Sequence, residues 1–129
     1  MARPASLNPT DGEIDVLQVL WRHGPSTVRQ IHNVLKEKRG TGYSTTLKAV
    51  QIMTEKGLLL KDDAVRPQVY RPAQRQEVTQ LALVDDLIQR GFGGSAASLV
   101  LRAAAAERIT AEELSQIKRM IENAKGAKP

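Results

Sequence analysis

The chain has 129 residues, no cysteine, and nineteen basic against fourteen acidic side chains, a formal net charge of +5. That length supports one core, or two small subdomains that share one. The missing cysteine excludes disulfides, thiolate metal sites and cysteine nucleophiles, no run reaches the roughly 18 apolar residues of a membrane span, and aromatics at 3% are too few for a surface that stacks single-stranded bases.

Residues 1–9 read as a tail, and Met1-Ala2-Arg3-Pro4 carries no apolar signal core, so a cytoplasmic protein is expected. Thr10 and Glu13 have the spacing of a capping box and predict a helix with Ile14, Leu17 and Trp21 on its apolar face. Gly24-Pro25 stops it. Thr27 and Gln30 form a second capping box, followed by a helix with Val28, Ile31 and Leu35 inward and the cations Lys36, Lys38 and Arg39 in its last turn. Tyr43-Ser44-Thr45-Thr46 opens a third helix with Leu47, Val50 and Met53 on one side, and Gly57 closes it. Leu58–Lys61 and Val65–Tyr70, around the polar turn Asp62-Asp63-Ala64, read as a β-hairpin ended by Pro72, with Pro67 marking an edge or a strand start.

The remainder is helical. Val78, Leu81, Val84 and Ile88 form one stripe, Gly91-Phe92-Gly93-Gly94 breaks it, and Ser95 caps a helix through Leu99 and Val100. Thr110 and Glu113 start the last helix, with Leu114, Ile117 and Ile121 at helical spacing. The expected fold is mainly α with a small β-hairpin: a winged helix-turn-helix DNA-binding domain over residues 1–73, then a helical dimerisation domain over residues 74–129. Three short helices with apolar residues on two faces cannot bury themselves alone, so Leu81, Val84, Ile88, Leu99, Leu114, Ile117 and Ile121 are expected to meet a second copy of the chain.

The charge is uneven. Residues 1–72 hold eleven basic and seven acidic side chains, whereas residues 73–129 hold eight and seven. An anion-facing surface therefore belongs to the first part. In a helix-turn-helix the second helix enters the major groove by its N-terminal residues. Here that places Tyr43, Ser44, Thr45 and Thr46 at duplex DNA, with Lys48 one turn on. Arg29, the Lys36–Arg39 cluster, and Lys61 and Arg66 on the wing are placed to hold phosphates. Ser44 is also read as an ordinary helix cap. No catalytic constellation competes: His23 and His32 lack further metal ligands beyond Asp15 and Glu37, and no nucleophile or phosphate-loop motif is present. Neither a cofactor nor a metal is expected. The alternative to DNA binding is a winged-helix module that engages another protein.

The order of these pieces resembles the penicillinase-repressor family, the BlaI/MecI/CopY type. The resemblance is carried by Thr10-Asp11-Gly12-Glu13-Ile14-Asp15-Val16-Leu17, Pro25-Ser26-Thr27-Val28-Arg29-Gln30-Ile31, Tyr43-Ser44-Thr45-Thr46-Leu47-Lys48, Met53-Thr54-Glu55-Lys56-Gly57-Leu58 and Val69-Tyr70-Arg71-Pro72. It continues through Ser98–Leu101 and Thr110–Leu114, covering roughly residues 7–123. The resemblance implies a homodimeric repressor on pseudo-palindromic operators, with a membrane metallopeptidase sensor that relieves repression by proteolysis. It puts Ser44, Thr45 and Lys48 at bases and Tyr43 and Arg66 near the backbone. Two features depart from the family: Arg102-Ala103 stands where antibiotic-responsive members carry the cleaved Asn-Phe bond, and the cysteine motif of the copper-responsive branch is missing.

Overall fold

The computed structural model describes residues 8–127, so most of the expected N-terminal tail lies outside the described residues. Six helices and one hairpin follow in the order α1 (Asp11–His23), α2 (Val28–Arg39), α3 (Tyr43–Glu55), β1 (Leu59–Asp62), β2 (Val69–Pro72), α4 (Gln76–Gly91), α5 (Ala96–Ala105) and α6 (Ala111–Ala127). The chain divides within α4, between Asp85 and Asp86, into two compact units.

Local chemistry sets the helix starts. The Thr10 hydroxyl accepts from the Glu13 N–H at 3.3 Å while Glu13 Oε1 accepts from the Thr10 N–H at 2.9 Å. Thr27 and Gln30 repeat the exchange at 3.1 and 2.8 Å, and Thr110 and Glu113 at 3.0 and 2.9 Å. Each box satisfies two backbone donors that a helix start leaves without partners. Ser95 caps α5 by accepting the Ser98 N–H at 3.0 Å. At the end of α2, Gly40 takes φ +69° and donates to the Lys36 carbonyl at 2.9 Å, a left-handed cap that favours glycine.

The core of the first unit joins all its early elements. Val16, Leu17, Val19 and Leu20 of α1, Val28, Ile31 and Leu35 of α2, Val50 and Met53 of α3, Leu59 and Tyr70 are buried together. Fully burying a side chain such as Leu17, Ile31 or Met53 contributes roughly 1.5–3 kcal/mol. The α1 stripe differs from the expected one: Val16, Val19 and Leu20 join Leu17 inside, whereas Ile14 and Trp21 are only half-buried. The reason is that α1 packs on α2, α3 and β2 at once, so its buried arc is wider than a single helical seam.

Strands β1 and β2 pair antiparallel with Leu59 opposite Pro72 and Asp62 opposite Val69. The second strand starts at Val69 rather than Val65 and includes Pro72. Pro67 has no N–H to give a ladder, and the connection is held instead by side chains: Asp62 Oδ1 accepts the Ala64 N–H at 2.9 Å and Asp63 Oδ1 accepts from Gln68 Nε2 at 2.7 Å. On its other side β2 meets the loop before α2, where Ser26 and Tyr70 exchange backbone hydrogen bonds of 3.0 and 2.8 Å.

Helices α4, α5 and α6 differ from the first three in their burial. No residue from 74 to 124 is buried. Leu81, Val84, Leu114 and Ile121 are exposed, and Ile88, Leu99 and Ile117 are half-buried. The most exposed large apolar side chains are Met120 at 70% and Leu101 at 69%, neither of them in the expected set. The helix α6 also continues to Ala127. Asp86 binds Arg90 one turn on at 2.7 Å.

Candidate nucleic-acid interface

The start of α3 determines which of its side chains face outward. Its N-cap is Gly42, which supplies no side-chain cap, so Ser44 is the second helical residue and not the cap. From that phase Thr46, Val50 and Met53 point into the core, at spacings of four and three. Ser44, Thr45 and Lys48 are exposed and Tyr43 is half-buried. Thr46 is 3% exposed, with its hydroxyl buried and without a hydrogen-bond partner among the described residues. The expected role of Thr46 at DNA is therefore corrected: it is a core residue of α3. Gln51 was missed by the sequence reading. It is exposed one turn beyond Lys48, and its spacing of three from Lys48 was the available signal.

The basic residues separate into two groups. Lys38 Nζ lies 3.1 Å from Asp15 Oδ1, and Arg39 Nε binds Asp15 Oδ2. Lys56 Nζ lies 2.8 Å from Glu13 Oε2. Both carboxylates are 9% exposed. Burial alone pushes these carboxyl groups up, but the hydrogen bonds and positive charges of Lys56 on Glu13, and of Lys38 and Arg39 on Asp15, hold both below the usual carboxylate range. Lys38 and Arg39, expected in a phosphate-facing cluster, thus tie the end of α2 to α1.

The second group keeps its charge outward. Arg29 is exposed, and its guanidinium carbon sits 4.2 Å from the centre of the Tyr43 ring. Tyr43 in turn meets the His32 ring edge-to-face, 5.7 Å between centres at 82°. On the hairpin, Arg66 is exposed and makes no ion pair among the described residues, whereas Lys61 lies 3.7 Å from Asp63. The hairpin and the first turns of α2 and α3 share a small groove of about 190 Å³, walled by Arg29, Tyr43, Leu47 and Gln68. Among the described residues no group of His, Asp and Glu is arranged to hold a metal.

This arrangement can present a hydroxyl- and lysine-bearing helix to base edges with cations on either flank. A family model described as penicillinase repressor matches residues 9–123. The chain belongs to the penicillinase repressor family. Its relatives include the transcriptional regulator BlaI of two strains of Mycobacterium tuberculosis, each 32% identical over 113 residues, covering 86% of this chain and 80% of the relative. Among solved structures, the solution structure of the Bacillus licheniformis BlaI monomeric form in complex with the blaP half-operator is similar, with a TM-score of 0.50 and 21% identity over 55% of this chain and 87% of that one. That likeness supports the winged-helix fold. The members it matches are transcriptional regulators, and among the described residues no helix is long and apolar enough to cross a membrane.

Proposed function

We propose that this chain is a transcriptional repressor that binds a pseudo-palindromic duplex operator as a homodimer. In this reading residues 1–73 bind DNA and residues 74–129 dimerise. The observation that carries it is the division of α3: Thr46, Val50 and Met53 anchor one face in the core while Ser44, Thr45 and Lys48 stand free on the other. Ser44, Thr45 and Lys48 are assigned to base edges. Tyr43, Arg29, Arg66 and, more weakly, Lys61 are assigned to the phosphate backbone. A relative of the same family is named for its complex with a half-operator, which supports duplex DNA as the partner.

The dimer is supported by the second set of helices, where Leu81, Val84, Ile88, Leu99, Leu114, Ile117 and Ile121 are all at least partly solvent-facing. A two-fold dimer reads a site of two-fold symmetry, because each copy places its own α3 in one half-site. Selection of bound sequences from a random duplex pool tests the proposal directly. The expected result is an inverted repeat whose affinity falls steeply with salt. A pool that yields no enriched sequence at low salt refutes it. Relief of repression by a membrane metallopeptidase is what the family resemblance implies, and with Arg102-Ala103 in place of the cleaved Asn-Phe bond it requires a cut of different specificity or position. Its test is the mass of the fragments formed when the two proteins are expressed together, and an intact chain under inducing conditions rejects it.

A further inference from the structure

We propose that His32, Tyr43 and Arg29 form a stacked clamp that holds the Arg29 guanidinium ready for a phosphate, with His32 as a positioning residue that never touches DNA. The inference rests on the duplex-binding reading of the same surface and adds a residue to it. Arg29 and His32 are three positions apart on α2 and so share a face. Tyr43, the first residue of α3, lies against both, with the Arg29 guanidinium over its ring and the His32 ring meeting it edge-to-face.

The geometry matters because an arginine free on a helix surface must give up side-chain freedom when it binds. A guanidinium held over an aromatic ring has already lost much of its side-chain freedom, and its N–H groups away from the ring stay open to a phosphate. Among the described residues no carboxylate pairs with Arg29. Lys38, Arg39 and Lys56, by contrast, are taken up by Asp15 and Glu13. Arg29 and Tyr43 lie on the wall of the groove where α2, α3 and the hairpin meet.

His32 contributes by shape. Its Nδ1 is buried and has no hydrogen-bond partner among the described residues. Its ring meets Tyr43 edge-to-face, a contact that an aromatic residue without ring nitrogens can reproduce.

The test measures binding of the full-length chain to the duplex recovered from the random pool, over a series of salt concentrations and well below the melting midpoint of each variant. The variants are R29A, H32A, H32F and the double variant R29A/H32A. Loss of one phosphate contact in R29A lowers the slope of log affinity against log salt by about 0.9. H32A weakens binding about two- to tenfold, the range of one aromatic pair, and H32F restores it. In the R29A background the H32A effect is clearly smaller, leaving only what the backbone contact assigned to Tyr43 loses. An unchanged salt slope in R29A overturns the clamp. So does an H32A effect of equal size with and without Arg29, which marks a general packing role. A pool that yields no bound duplex overturns the underlying DNA-binding reading and the clamp with it.

Discussion

Glu13 performs two jobs with its two oxygens, and substitution separates them. Oε1 closes the capping box at the start of α1 and Oε2 binds Lys56 just past the end of α3. Glu13→Gln keeps an acceptor for the Thr10 N–H but removes the charge facing Lys56. An exposed pair is worth about 0–1 kcal/mol and breaking a fully buried one costs about 3–5 kcal/mol. With the carboxylate 9% and the lysine 28% exposed, E13Q lies between these limits, at about 1–2 kcal/mol. Glu13→Ala also loses the box, adding roughly 1 kcal/mol. For a unit of this size each kcal/mol moves the melting midpoint by about 4–8 °C. Urea and thermal unfolding followed by circular dichroism, at fixed chain concentration, measure both variants. A double-mutant cycle with Lys56→Met isolates the pair. Equal stabilities for E13Q and the parent, or a coupling energy near zero, refute the claim that this ion pair ties α1 to the end of α3.

The same carboxylates give a pH dependence with a definite sign. Glu13 and Asp15 are held below their ordinary values of 4.5 and 3.8. Their contribution is therefore complete above those values and is lost as the pH falls through the lower folded-state values. An acid titration of stability should show a smaller loss in E13Q than in the parent, and an identical loss contradicts the assignment. Thr46→Val replaces a buried hydroxyl without a partner by a methyl group of similar shape, so it should be neutral or stabilising by up to about 1 kcal/mol in urea unfolding and leave duplex affinity unchanged; weakened binding restores Thr46 to the interface. Lys48→Ala and Thr45→Ala should flatten sequence preference among selected duplexes, each lost base contact being worth about 1–3 kcal/mol of discrimination; unchanged selectivity removes both from base recognition. Leu99→Glu or Ile117→Glu should reduce the solution mass from near twice 14.2 kDa toward one chain and weaken operator binding together, and a parent that is already monomeric at micromolar concentration in light scattering sinks the dimer.

The features legible in the sequence were those written within a few residues. Thr10 and Glu13, Thr27 and Gln30, and Thr110 and Glu113 are near neighbours, so the capping boxes follow from spacing alone. Thr46 was equally available: its spacing of four to Val50 and seven to Met53 puts it on the core face, but four consecutive polar or amphipathic residues, Tyr43 to Thr46, drew it into the candidate surface. The ion pairs were not legible. Glu13 and Lys56 are 43 positions apart and Asp15 and Arg39 are 24 apart, so only the packing of α1 against its neighbours decides which lysines and arginines stay free for a phosphate. For the same reason the meeting of Arg29, His32 and Tyr43 could not be read from either helix by itself.

The backbone exchange between Ser26 and Tyr70 has a consequence for how the protein behaves when crowded. It occupies the outward backbone groups of Tyr70 in β2, and among the described residues β1 is the strand of the hairpin without such a bridge on its outer rim. That rim is four residues long and carries Lys61 and Asp62 beside the exposed Leu60. Short, charged rims are poor templates for strand addition. Hairpins brought close together on neighbouring molecules therefore have little means of zipping into a shared sheet, and the wing can stand out from the body of the protein without making it prone to aggregate.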